Sequence, residues 1–185
     1  MNKQITFIYL SILFFFGQVS LKAEHKESSN NSIYETIYTS IDEKDCQTLE
    51  SDNLGSIEEC ESFAGMKIIV IEGDMKQAII VIRDNKRYEL DLKSVIPNGF
   101  ISLGLDLKWI YKHQEFDNPV AMLAHLDVNE DKEDIEKVTS YSLVSKITEK
   151  EICIVGKIKI EKNKDKLAYK MAEEAYDMPC ISSIK

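Results

Sequence analysis

The residues best suited to chemistry are the four cysteines, Cys46, Cys60, Cys153 and Cys180, in a chain of 185 residues. None of them stand in C-x-x-C spacing, and no histidine lies close in sequence to any of them. That disfavours zinc, which needs converging thiolates and imidazoles. An even set at wide spacing fits disulfides instead. Four cysteines allow three pairings. Nearness in sequence favours Cys46–Cys60 and Cys153–Cys180, each bracketing a loop or a helix. In the loop-entropy model a closure of this size contributes ~3 kcal/mol.

Other chemistries find less support. Histidine occurs three times, at 25, 113 and 125. His113 and His125 fall near the ends of two strands joined at 114–119, and in a simple hairpin they would not face each other. They read as surface or strand-edge side chains, not as a metal pair or a Ser-His couple. Asp127-Val128-Asn129-Glu130-Asp131 opens like a calcium loop, but Lys132 stands where Gly is needed and Val138 where Glu is needed. A solvated acidic loop is the expectation there. Carboxylates are too numerous to single out a catalytic pair. There is no nucleophile elbow, phosphate loop or dinucleotide fingerprint. The sequence therefore assigns no catalytic, cofactor-binding or metal-binding residue, and no cofactor. Trp109, Tyr111, Tyr88 and Tyr141 alternate on strands, as core aromatics do.

Charge and the N-terminus bound the setting. Residues 1–23 carry Lys3, then a charge-free apolar run over 5–16, then Leu21-Lys22-Ala23, the pattern of a cleavable signal peptide. Gln18 and Ser20 cut that run short of the ~20 residues that a spanning helix needs, so no membrane span is expected after cleavage. The formal net charge is −9. Without Lys3 and Lys22 the remainder has 21 basic and 32 acidic groups, a net of −11. Such a balance excludes nucleic acid as a partner, since phosphates recruit clustered Lys and Arg. It favours a cationic protein partner.

Residues 24–33 are a polar leader, and 34–185 a single domain. Residues 35–41 carry β signals, and 42–65 read as an acidic loop holding two cysteines. The runs 66–71 (MKIIVI) and 77–83 (QAIIVIR) are apolar on both faces, so they are expected to be central strands joined as a hairpin at Glu72-Gly73-Asp74. In 87–92 Tyr88, Leu90 and Leu92 point inward. Residues 93–106 read as a long connection. Strands follow at 107–112, 120–128, 139–148 and 151–160. In the last, Ile152, Ile154, Ile158 and Ile160 share one face, and Cys153, Val155, Lys157 and Lys159 the other. Residues 163–176 place Leu167, Ala168, Met171, Ala172 and Ala175 on one helical face, and Pro179 follows. A Cys153–Cys180 bond would strap that helix over the sheet face opposite Ile152 and Ile154. The expected fold is α+β and mainly β. About seven antiparallel strands form a sandwich or partly open barrel, covered by one C-terminal helix and braced by two disulfides.

Several stretches resemble a family of uncharacterised small exported bacterial proteins with four cysteines. They are Tyr38-Thr39-Ser40, Asp45-Cys46, Leu49-Glu50-Ser51 and Cys60, then Glu72-Gly73-Asp74 with Gln77. Ser94-Val95, Ser102-Leu103-Gly104 and Trp109 continue the match. Thr139-Ser140-Tyr141, Val144, Lys146-Ile147, Ile152-Cys153 and Pro179-Cys180 complete it. The match departs after Cys60, where Glu61-Ser62 replaces Pro-Gly. The resemblance implies export and four paired cysteines, and no activity.

Together these features point to a periplasmic or secreted, non-catalytic binding or envelope-associated protein of open oligomeric state. The alternatives are an acidic proteinaceous inhibitor of a basic secreted hydrolase such as lysozyme, and a hydrolase with an unrecognised site.

Overall fold

The computed structural model describes residues 32–73, 78–97, 99–131, 134, 136–161 and 165–181. All of them belong to one compact unit, Ser32–Lys185. The signal peptide expected at 1–23 and nearly all of the leader at 24–33 lie outside the described residues.

Ten strands are present among the described residues: β1 (Tyr34–Ser40), β2 (Gln47–Asp52), β3 (Gly55–Phe63), β4 (Met66–Gly73), β5 (Ala78–Arg83), β6 (Lys86–Asp91), β7 (Phe100–Lys112), β8 (Pro119–Asn129), β9 (Val138–Ile147) and β10 (Ile152–Lys159). One helix, α1 (Asp165–Glu174), follows them. The strands make two five-stranded antiparallel sheets. One has the order β1-β7-β8-β9-β10, the other β2-β3-β4-β5-β6. The second sheet is thus a meander inserted between two adjacent strands of the first.

The sheets face each other across one core. Ile68, Val70, Ile79, Val81 and Leu90 of the meander meet Leu107, Trp109, Met122, Leu126, Leu143 and Ile154 of the first sheet. Burying one such side chain fully contributes ~1.5–3 kcal/mol. Trp109 is fully buried, and its indole N–H donates to Thr39 Oγ1 at 2.9 Å. That bond satisfies the one polar atom of the ring. The expected aromatics are core residues: Tyr88 and Tyr141 pack at its margin. Tyr111 packs edge-on against Phe116.

The other face of the first sheet lies under the helix. Ile110, Ala121, Leu123, Val144 and Val155 pack against Ala168, Ala172 and Ala175. Alanine on the helix face permits close approach. A Cβ on Gly156 would meet Met171 Sδ at 2.6 Å. The C-terminal segment is tied down by the Cys153–Cys180 disulfide and by Ile181 N–H donating to Ile154 O at 2.8 Å. Buried Lys146 donates to Met178 O at 2.8 Å and pairs with Glu151 at 2.7 Å. The expected strap over the face opposite Ile152 and Ile154 is present.

Four expectations need correction. Residues 42–65 are not a loop but contain β2 and β3, and Cys46–Cys60 closes the open end of that hairpin. With these two the strands number ten among the described residues, against the about seven expected. Residues 93–106 are only partly a connection, because β7 starts at Phe100. Leu103 and Leu107 pair with Leu126 and Ala124, so two extra residues bow outward and Leu105 is 67% exposed. In β10 a bulge falls between Ile154 and Gly156, and one extra residue inverts the alternation beyond it. Ile158 therefore sits on the helix side with Cys153. Lys157 turns the other way, placing its ammonium 4.8 Å from the Tyr141 ring and donating to Val95 O. On the helix, Leu167 is exposed, and burial centres on the alanines.

Candidate functional site

The inner face of β3 changes character along its length. Cys60 is paired with Ile68, Glu58 with Val70 and Ser56 with Glu72. Alternation puts Ser56, Glu58 and Cys60 on one face, each rung ~6.6 Å from the next. The face thus runs from an apolar, disulfide-tied end to a polar end at the hairpin tip. There the sheets part, leaving a cleft of about 450 Å³ bordered by Ser56, Glu72, Asp52, Lys93 and Phe100, among others. That volume falls in the range of small-ligand sites, ~300–1,000 Å³. Gly55 lets the hairpin press onto β4, because a Cβ there would meet Glu72 O at 2.1 Å.

Glu58 sits one rung below the cleft mouth. It is 3% exposed, and among the described residues neither carboxylate oxygen has a hydrogen-bond partner. A buried, unsatisfied carboxyl costs folding free energy. Glu72 stands at the rim, open to solvent on one side. Its carboxyl is nevertheless held above the usual glutamate range, first by partial desolvation against the cleft wall, then by the negative charges of Glu43 and Glu58. Among the described residues no cation offsets that rise. The rim carries two large apolar side chains, Leu54 and Phe100, at 70% and 74% exposure.

The residues singled out from sequence lie elsewhere. The two disulfides are paired as expected, Cys46–Cys60 and Cys153–Cys180, with no free thiol among the described residues. Glu151, Cys153 and Cys180 converge, but both sulfurs are committed to the disulfide and offer no thiolate. His113 and His125 are apart. His113 follows β7 and contacts Glu35 through Nδ1, while Tyr111 donates to the other Glu35 oxygen at 2.9 Å. His125 lies in mid-strand on β8 rather than at an edge, opposite Ser142. Its Nε2 is 3.0 Å from Asp127 Oδ1, and Ser140 donates to the same oxygen at 2.5 Å. The serine hydroxyl thus addresses the carboxylate, not the imidazole. These bonds hold the Asp127 carboxyl below its usual range, Ser140 first and His125 after it.

The calcium-like stretch is extended, not curled. Asp127 and Asn129 belong to β8 and pair with Ser140 and Val138. Asn129 spends its amide on Asp134 O and Lys137 O. Oxygens strung along a strand do not converge on one ion.

Sequence reasoning missed Glu43, Glu58, Glu72 and Lys93. One signal for Glu58 was present: a disulfide cysteine at 60 that packs inward puts residue 58 on the same face of any strand through it. Compared with family models, curated proteins and solved structures, the chain matches none of them.

Proposed function

We propose that this chain is an exported, non-catalytic binding protein of the bacterial envelope or its surroundings, and that its partner is a cationic protein. The observation that carries the reading is the acidic cleft end, where buried Glu58 lacks any partner among the described residues and Glu72 lies one rung above it. The Glu72 carboxyl at the cleft rim, uncompensated and close to the charge of Glu58, would be relieved by an incoming cation. The excess of 32 acidic over 23 basic residues would steer such a partner toward the molecule. Export by way of residues 1–23 to the periplasm or beyond fits the two disulfides. Among the described residues no helix is long and apolar enough to cross a membrane.

A narrower version is an inhibitor of a basic secreted hydrolase such as lysozyme. It is favoured by β2, whose six residues are all exposed, leaving a hairpin arm free to reach a neighbouring surface.

The test is calorimetric titration of the oxidised protein, residues 24–185, with a set of basic and acidic proteins that includes a basic lysozyme. Expected is binding to basic proteins only, weakening between about 50 and 500 mM salt. A lysozyme activity assay in the same mixtures separates inhibition from plain binding. No binding to any basic protein would overturn the reading.

A further inference from the structure

We infer that β2 takes up an extended, basic segment of the partner as an added strand of the meander sheet, its backbone paired with the free edge of β2 and its alternate Lys or Arg side chains set on Glu50 and Asp52. The inference rests on the cationic-partner reading and names the form in which the partner is recognised.

The two five-stranded sheets have four edge strands, and three of them have neighbours across the gap between the sheets or at the C-terminus. The first, β1, lies against β3, and its Ser40 N–H donates to Glu61 Oε2 at 3.1 Å. The second, β6, lies against β10, with Lys86 Nζ donating to Lys150 O at 3.1 Å. The third, β10, also carries the C-terminal segment, through Cys153–Cys180 and through Ile181 N–H donating to Ile154 O. The fourth, β2, differs. All six of its residues are exposed, and among the described residues it pairs with β3 alone. An edge strand turns about half of its backbone N–H and C=O groups away from its neighbour, and those groups can template another strand.

The register decides what such a strand must carry. Glu50 stands opposite Ile57, which pairs with Ile71. Asp52 stands opposite Gly55, which pairs with Gly73. Because Ile68 and Val70 point into the core, positions 71 and 73 point away from it. Glu50 and Asp52 therefore share the outward face of β2. Basic side chains at every second position of an added strand would meet both acids. The Asp52 carboxylate is held in place at the end of the strand, its Oδ1 accepting from Leu54 and Gly55 N–H. A bulge between Thr48 and Glu50 interrupts the ladder, so regular pairing is offered by 50–52, the run that holds both acids.

A second copy of this chain fits the edge less well. It would bring its own Glu50 and Asp52 to the same short run, and like charges across a strand pair are destabilising. Charged side chains on an edge strand keep like edges apart. A strand of opposite charge meets no such barrier.

The probe is acetyl-Thr-Lys-Val-Lys-Val-Thr-amide, followed by amide-resolved NMR on the oxidised protein. Two relatives accompany it. One has Glu in place of both lysines, and the other keeps the lysines but has its central amides N-methylated. Expected are saturable shifts at Glu50, Ser51 and Asp52 and slowed exchange of β2 amides with the lysine peptide, and neither effect with its relatives. Glu50→Lys should weaken binding by about tenfold. Glu50 is exposed, so this variant keeps the fold. Asp117→Asn, between β7 and β8, should leave binding unchanged. Equal binding by the N-methylated peptide would mean charge pairing without strand addition, and it overturns the inference. So does a lysine peptide that fails to bind or that shifts only residues away from β2. If a basic protein binds and Glu50→Lys leaves its affinity intact, the inference falls while the cationic-partner reading stands. If the lysine peptide adds to β2 but no basic protein binds, the partner reading is what fails.

Discussion

Glu72 and Asp127 are both carboxylates on strands, and the fold moves their protons in opposite directions. Glu72 is raised by desolvation and by Glu43 and Glu58. Its protonated form suits the folded state, so its contribution is full below the usual glutamate range of ~4.3 and is lost as pH rises through the folded value. Glu72→Gln should therefore stabilise the protein near neutral pH by about 0.5 kcal/mol, solvent screening included, and not at all near pH 3.5. Asp127 is lowered by Ser140 and His125. Its contribution is present above ~3.9 and lost as pH falls through the depressed value. Ser140→Ala should cost about 0.5–1 kcal/mol near neutral pH and progressively less in acid. Urea unfolding at the two pH values checks both signs. Glu58→Met should gain about 1–3 kcal/mol, because an unpartnered buried carboxyl gives way to an apolar chain of similar length. Chemical denaturation measures that gain. Loss of stability on this substitution would mean that Glu58 is satisfied in the folded protein.

At the scale of the element, what could be read in advance depended on whether both faces of a strand advertise burial. The strands β4, β5 and β6 were legible from MKIIVI, AIIVI and the Tyr88/Leu90/Leu92 alternation, because the core writes itself into their composition. The strands β2 and β3 were not. All six residues of β2 are exposed, and the inner positions of β3 at 56 and 58 are Ser and Glu. The residues that make the cleft polar are the ones that erased the strand signal, because Ser and Glu at inner positions break the apolar alternation. The β10 bulge was hidden for another reason: one extra residue at Val155–Gly156 resets the alternation without changing which residues are apolar. The helix was legible, but its inward face is one of small side chains. Ala172, 1% exposed, packs against the first sheet, and Ala172→Leu should cost about 1–3 kcal/mol through overpacking. Replacing Cys153 and Cys180 by Ser should cost about 2–4 kcal/mol. Hydrogen exchange should show the loss concentrated in α1 and the segment 178–181.

For the whole molecule, protection is uneven. The first sheet is covered on one face by the meander and on the other by α1, whereas the β2–β3 hairpin reaches the core only at its root, through Cys60 and Phe63 of β3, and its strand β2 is exposed throughout. Opening free energy should rank accordingly, with β8 and β9 exchanging most slowly and β2 fastest. The flank opposite that hairpin is pinned by cations on carbonyls. Arg83 donates to Thr148 O and Glu149 O, and Lys86 to Lys150 O at 3.1 Å. The layered fold and the disulfide pattern were legible in the sequence, because apolar runs and an even cysteine set constrain the whole chain. The cleft was not, because 32 acids gave no reason to prefer three of them. Only pairing register makes Glu58 and Glu72 neighbours.

The covalent rung at the root of the hairpin has a consequence for variation. Cys46–Cys60 holds the base of β2 and β3 in place, so the exposed side chains of 49–51 can change while the turn keeps Asp52, which accepts from Leu54 and Gly55 N–H, and Gly55, which has no room for a Cβ.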